Sequence, residues 1–145
     1  MELQIGINKE EVINQASELC SLIAYRNDDY TNGAPSTNTK SLIFTQYFSE
    51  GVSNLLAQGS RLDPIMYDDA IAFIVSDRYN EDNYKVLEQA ASNYLINIIV
   101  SKWLAVISKE DAEQYETTAD VYLAQVKNLL NARRSPSRKQ LKGNR

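Results

Sequence analysis

This sequence predicts an all-α fold, a single bundle of about five helices with an extended N-terminal arm and a basic C-terminal tail. Three observations carry that prediction. Apolar residues recur in steps of three and four over most of residues 8–134, the period of helices that bury one face. Helix-start signals stand at Asn8, Asp63-Pro64, Asn80 and Ser108, each just ahead of such a stretch. Alternation with period two is confined to residues 3–7. A chain of 145 residues has the length of one domain and can bury a sizeable core. It divides into an arm over residues 1–7, a helical domain over 8–134 and a flexible tail over 135–145.

The elements follow in order. Leu3, Ile5 and Ile7 alternate with Glu2, Gln4 and Gly6, but seven residues are too few to build a sheet, so an extended arm is expected. Asn8 caps the first helix, Glu11 stands three residues on in capping-box position, and Ile7 and Val12 occupy the staple positions. The stripe Val12, Ile13, Ala16, Leu19, Cys20, Ile23 carries that helix to about Tyr25. Residues 27–38 are turn formers at nearly every position and read as a long exposed loop. A second helix spans 40–56, with Phe44, Tyr47, Phe48, Val52, Leu55 and Leu56 on one side and Gly51 in the same stripe, where another backbone approaches closely.

Asp63-Pro64 reads as a cap followed by proline at the first helical position. A third helix is therefore expected over 63–78, with Tyr67, Ala70, Ile71, Ile74 and Val75 on its stripe. Asn80-Glu81-Asp82 opens a fourth with a cap and two acids in its first turn. Its stripe from Leu87 to Ile99 widens to take in Ile96, Val100, Trp103, Leu104 and Ile107, which places it at the centre of the fold or in a subunit interface. Its longest apolar stretch, 95–107, contains Asn97, Ser101 and Lys102 and falls short of the roughly 20 residues that span a bilayer. Ser108 with Asp111 starts a fifth helix whose seam is Ala112, Tyr115, Ala119, Tyr122, Val126 and Leu129. Pro136 forbids its continuation.

Composition narrows the function classes. With no histidine and one cysteine, the chain has no imidazole base, no His ligand, no internal disulfide and no thiolate zinc site. Cys20 sits on an apolar stripe, the setting of a small core hydrophobe rather than a nucleophile. No glycine-rich phosphate loop is present. The loop from Asp28 to Thr39 places Asp28, Asn32 and Gly33 at the first, fifth and sixth positions of a calcium loop, but Tyr30 and Thr39 stand where ligands are needed. Asp63, Asp68, Asp69 and Asp77 read as a solvated acidic face, without a partner base for acid-base work. The expectation is a protein that is not an enzyme and takes no cofactor or metal.

The net charge of −4 hides a division. Residues 1–132 carry 9 basic and 19 acidic side chains, while the last 13 residues carry Arg133, Arg134, Arg138, Lys139, Lys142 and Arg145 and no acid. Such a tail seeks nucleic-acid phosphates or an acidic protein surface, or serves only as a solubilising end. No aromatic is interleaved with these charges, so any nucleic-acid contact is non-specific. Nine tyrosines against three phenylalanines and one tryptophan suit a partly wet interface, although Tyr67, Tyr94, Tyr115 and Tyr122 also fall on core stripes. The acidic second residue and the absence of a basic run ahead of Leu3 argue against a secretory signal, so synthesis and retention in a cytoplasm are expected.

The long central helix with Ala90-Ala91-Ser-Asn-Tyr94-Leu95, followed by a second carrying Tyr122-Leu123-Ala124 and Leu129-Leu130 into Arg133-Arg134, resembles the head-to-tail connector or adaptor proteins of tailed bacteriophages. The likeness covers about residues 63–138 and rests on helix order and spacing; the additional front helix, the loop at 27–38 and the longer basic tail depart from it. The resemblance implies a structural virion protein, assembled in the bacterial host cytoplasm into a homo-oligomeric, dodecameric ring beneath the portal. That ring joins head to tail and extends the DNA channel, with the portal and tail or further ring proteins as partners. It has no catalytic residues, small-molecule substrate or membrane. On that reading Leu3, Ile5 and Ile7 dock onto a neighbour, Trp103, Tyr115 and Tyr122 contribute to the oligomer interface, and the six basic tail residues meet a partner or DNA. Asp63, Asp68 and Asp69 would line the channel and repel phosphates. The alternative is a small helical adaptor or regulatory protein whose basic tail binds nucleic acid.

Overall fold

The computed structural model describes residues 1–26, 39–76 and 78–132. The chain is mostly helical, and its elements run β1 (Glu2–Gly6), α1 (Lys9–Arg26), α2 (Thr45–Gln58), β2 (Ile65–Met66), β3 (Ala70–Ile74), α3 (Tyr84–Ile107) and α4 (Lys109–Leu130). A π-helical turn over Thr39–Phe44 leads into α2, and 3-10 turns lie at Ser60–Leu62 and Glu81–Asn83. The three strands form an antiparallel sheet in the order β1-β3-β2.

Capping residues form the starts of α1 and α4 and of the 3-10 turn that leads into α3, whose own N-cap Asn83 makes no side-chain capping bond. The Asn8 side chain accepts from the Glu11 amide at 3.0 Å, that of Asn80 from Asp82 at 3.1 Å, and that of Ser108 from Asp111 at 3.4 Å, each satisfying an amide the helix leaves unpaired. Ser108 alone separates α3 from α4, so the two fold back on one another as an antiparallel pair. Helix α3 also packs on α1, α2 and β1, and Leu87, Ala91, Tyr94, Leu95, Ile99 and Leu104 vanish from solvent. With the turn before it, α3 is long and apolar enough to cross a membrane by length and composition, yet half of that segment is buried inside the fold.

Polar contacts pin the other helices to it. Asn54 donates to the Tyr94 hydroxyl at 2.9 Å, and Lys102 pairs with Glu50 at 3.2 Å while lying 5.8 Å over the Tyr47 ring. The buried Ser101 hydroxyl donates to the Ala112 carbonyl at 3.2 Å across the α3–α4 seam. Gly51 allows α2 to approach closely, since a Cβ there would lie 2.7 Å from Leu95 Cδ2.

The helix expected over 63–78 is a β-hairpin. Asp63 takes the left-handed conformation, φ 48°, which aspartate tolerates better than most residues, and the chain leaves it extended through Pro64. Tyr67 donates its amide to the Ala70 carbonyl at 2.8 Å, closing a tight turn through Asp68 and Asp69. Ile71, Phe73 and Val75 alternate along one buried face, and the small Ala72 between them is also covered; the run Ala70-Ile-Ala-Phe-Ile contains this alternation alongside its helical period. Pairing decides between the two readings. Leu3 lies opposite Phe73 and Ile5 opposite Ile71, and Ile7 and Met1 extend the ladder through bonds of 2.8 Å to Asp69 and Val75. Residues 1–7 are therefore not a free arm: they are a strand whose backbone groups are satisfied by a segment more than 60 residues away.

Candidate interaction surface

The residues singled out in the sequence fall into three groups. Leu3, Ile5 and Ile7 are 7%, 0% and 4% exposed; their side chains fill the chain's own core, under the sheet, where the arm reading had placed them against a neighbour. Trp103 is likewise buried on α3. Tyr115 and Tyr122 are half-buried on α4 and pack against the core. Arg133, Arg134, Arg138, Lys139, Lys142 and Arg145 lie outside the described residues, as do the loop at 27–38 and Asp77. Asp63, Asp68 and Asp69 do not share a helix face; they sit in the turns that bracket β2.

Sequence periodicity missed the sheet's outer face. Residues opposite one another in a ladder share a face, so Ile65, opposite Ala72, and Ile74, opposite Glu2, lie on the side away from the core. Tyr67 joins them and its hydroxyl donates to Glu2 at 3.4 Å. Ile65, Tyr67 and Ile74 are each about 40% exposed, and Met66 at the edge more so. Ile65, Tyr67 and Ile74 thus form an exposed apolar group on that face. Both sheet edges are blunted against uncontrolled pairing: β2 is two residues long and preceded by Pro64, and on β1 the Gly6 amide donates to Glu88 at 2.8 Å. The same carboxylate accepts from Tyr84 and holds that phenol's pKa above its ordinary value.

A cleft of about 750 Å³ lies beside this clamp, between the end of β1, the start of α1 and α3. Its walls carry Glu10, Glu11, Asp68, Asp69 and Glu88 against Lys9 and Lys85, yet no three acidic or thiol groups among the described residues converge as a metal site. Cys20 is fully buried, and burial pushes its thiol pKa far up. Because the folded-state value is raised, the stability this group contributes is complete below the unfolded thiol's value of about 8.5 and declines as pH rises above it. Iodoacetamide at pH 8.5 is expected to alkylate native Cys20 roughly 100-fold or more slowly than the urea-unfolded chain, since reaction requires local opening. Equal rates would show that the thiol is accessible.

Comparison with protein-family models, with curated proteins and with solved structures gives no match for this chain.

Proposed function

We propose that this chain is a structural subunit of a tailed-phage head-to-tail connector: copies assemble into a dodecameric ring below the portal, join head to tail and extend the DNA channel. The observation that carries a binding rather than a catalytic role is the outer sheet face, where Ile65, Tyr67 and Ile74 stand exposed together. An apolar group of this kind on a rigid sheet is stabilised by burial against a partner. The acidic balance of residues 1–132 supports the channel role, because like charge keeps DNA from adhering to a passage it must slide through. The long α3–α4 pair supports the ring wall, and the basic residues of 133–145 supply a charged end for the portal, a further ring protein or DNA.

Light scattering and negative-stain electron microscopy of the purified chain, alone and mixed with the portal protein of the same genome, test this reading. Closed rings in either sample are expected, and Ile74→Lys is expected to abolish them with the far-UV spectrum unchanged. A monomer in both samples would overturn it. Salt-sensitive binding to non-specific DNA that disappears on truncation after Ala132 would instead favour the adaptor with a nucleic-acid-binding tail.

A further inference from the structure

Among the described residues, one buried side-chain polar atom has no hydrogen-bond partner: the hydroxyl of Tyr79, on a residue 2% exposed. A buried hydroxyl left unpaired is costly, and folded proteins satisfy such groups with protein atoms or ordered water. Burial also keeps this phenol protonated, its pKa pushed above the ordinary value, so it has a proton to donate and lone pairs to accept with.

Tyr79 lines a cavity of about 30 Å³ between the chain that follows β3 and the end of α4, together with Leu62, Val75, Ser76, Leu130 and Asn131. A water needs about 10–15 Å³ of such space and two to four polar partners, so the pocket has room for one or two molecules. The partners are there. Ser76 Oγ accepts from the Arg78 amide at 3.3 Å and retains its own proton to give. Asn131 donates its Nδ2 to the Lys127 carbonyl at 2.8 Å, and its Oδ1 can still accept. The last turn of α4 adds carbonyls of the kind that helix ends leave without intrahelical partners.

We propose that this pocket, which reaches solvent at the exposed Ser76 and Asn131, is a hydration site in which an ordered water accepts from the buried Tyr79 hydroxyl and bridges it to Ser76 and Asn131. The water fastens the C-terminal end of α4 to the segment between β3 and α3, next to the point where the basic residues begin. It is a structural ligand, and the site rests on geometry independent of any assembly the chain enters.

Two measurements on the full chain test the site. Tyr79→Phe removes only the hydroxyl; with a bridging water in place the urea midpoint is expected to fall, because the water loses a donor and the remaining groups lose their bridge. A phenol with no partner predicts the opposite, a midpoint unchanged or raised. Magnetisation transfer from bound water to the amides of Tyr79 and Ala132 is expected in the native chain and is expected to weaken in the Tyr79→Phe chain. A variant at least as stable as the parent, or no transfer at these amides in the parent, would each overturn the proposal.

Discussion

Deletion of residues 1–7 is expected to unfold the domain. Leu3, Ile5 and Ile7 are buried, and full burial of an aliphatic side chain stabilises by about 1.5–3 kcal/mol. Three of them supply roughly 5–9 kcal/mol, a large part or all of the about 5–15 kcal/mol that holds a domain of this size folded. The deletion also strips one side of β3, leaving the inward N–H and C=O groups of Ile71 and Phe73 without the ladder recorded against Ile5 and Leu3. A free arm would predict intact helicity and impaired assembly only. Far-UV circular dichroism and urea titration separate the two: loss of a cooperative transition is expected, and a midpoint equal to that of the full chain would show that the strand contributes nothing. Ile5→Ala, a milder version at a fully buried position, is expected to cost about 2–5 kcal/mol.

Gly59→Ala is the second large effect, and its origin is packing, not backbone conformation. Gly59 ends α2 with φ −116° and ψ 33°, angles that an alanine also adopts. A Cβ at this position would collide with the edge of the Phe73 ring, lying 2.6 Å from Cδ1, and would press on Leu130 at 3.2 Å. Phe73 is fully buried at the centre of the sheet's inner face, so its ring has no room to retreat. Overpacking of a core costs about 1–3 kcal/mol, and a rigid aromatic neighbour puts this site at the upper end. The contact is tested by a double-mutant cycle with Phe73→Leu, which vacates the ring edge. The pair is expected to be more stable than the sum of the single changes by about 1 kcal/mol or more, whereas additivity within about 0.5 kcal/mol would show that the two positions do not touch.

The contrast between the helices and the sheet explains what could be read in advance. Asn8, Asn80 and Ser108 announce helix starts because a capping bond spans two or three residues, so all its information is local. The stripes of α1, α3 and α4 were legible for the same reason: three and four residue steps place Val12, Ala16 and Cys20, or Leu87, Ala91 and Leu95, on one buried side whatever else the chain does. The π-helical turn over Thr39–Phe44 moved the start of α2 from the expected residue 40 to Thr45, a change the apolar stripe alone did not show. Asp63-Pro64 misled because a cap followed by proline is also how a strand leaves a left-handed residue, and Ile65 to Val75 carries both periods at once.

The candidate surface was hidden by the same ambiguity. As a helix, residues 63–78 would have turned Tyr67 and Ile74 inward on one stripe; as a hairpin they stand outward with Ile65, and the buried set becomes Ile71, Phe73 and Val75. Leu3, Ile5 and Ile7 changed roles with them. Their alternation correctly marked a strand, and only their partner was missing from view.

The sequence by itself determined that this chain is mostly helical, where α1 and α4 begin, and that its one cysteine is a core residue, because each depends on neighbours within a turn or two. The tertiary structure alone decided that residues 1–7 belong to the core and that a sheet presents the apolar outer face. The physical reason is that a strand's hydrogen bonds are satisfied by a distant segment. A short apolar run becomes β only when another part of the chain arrives to pair with it.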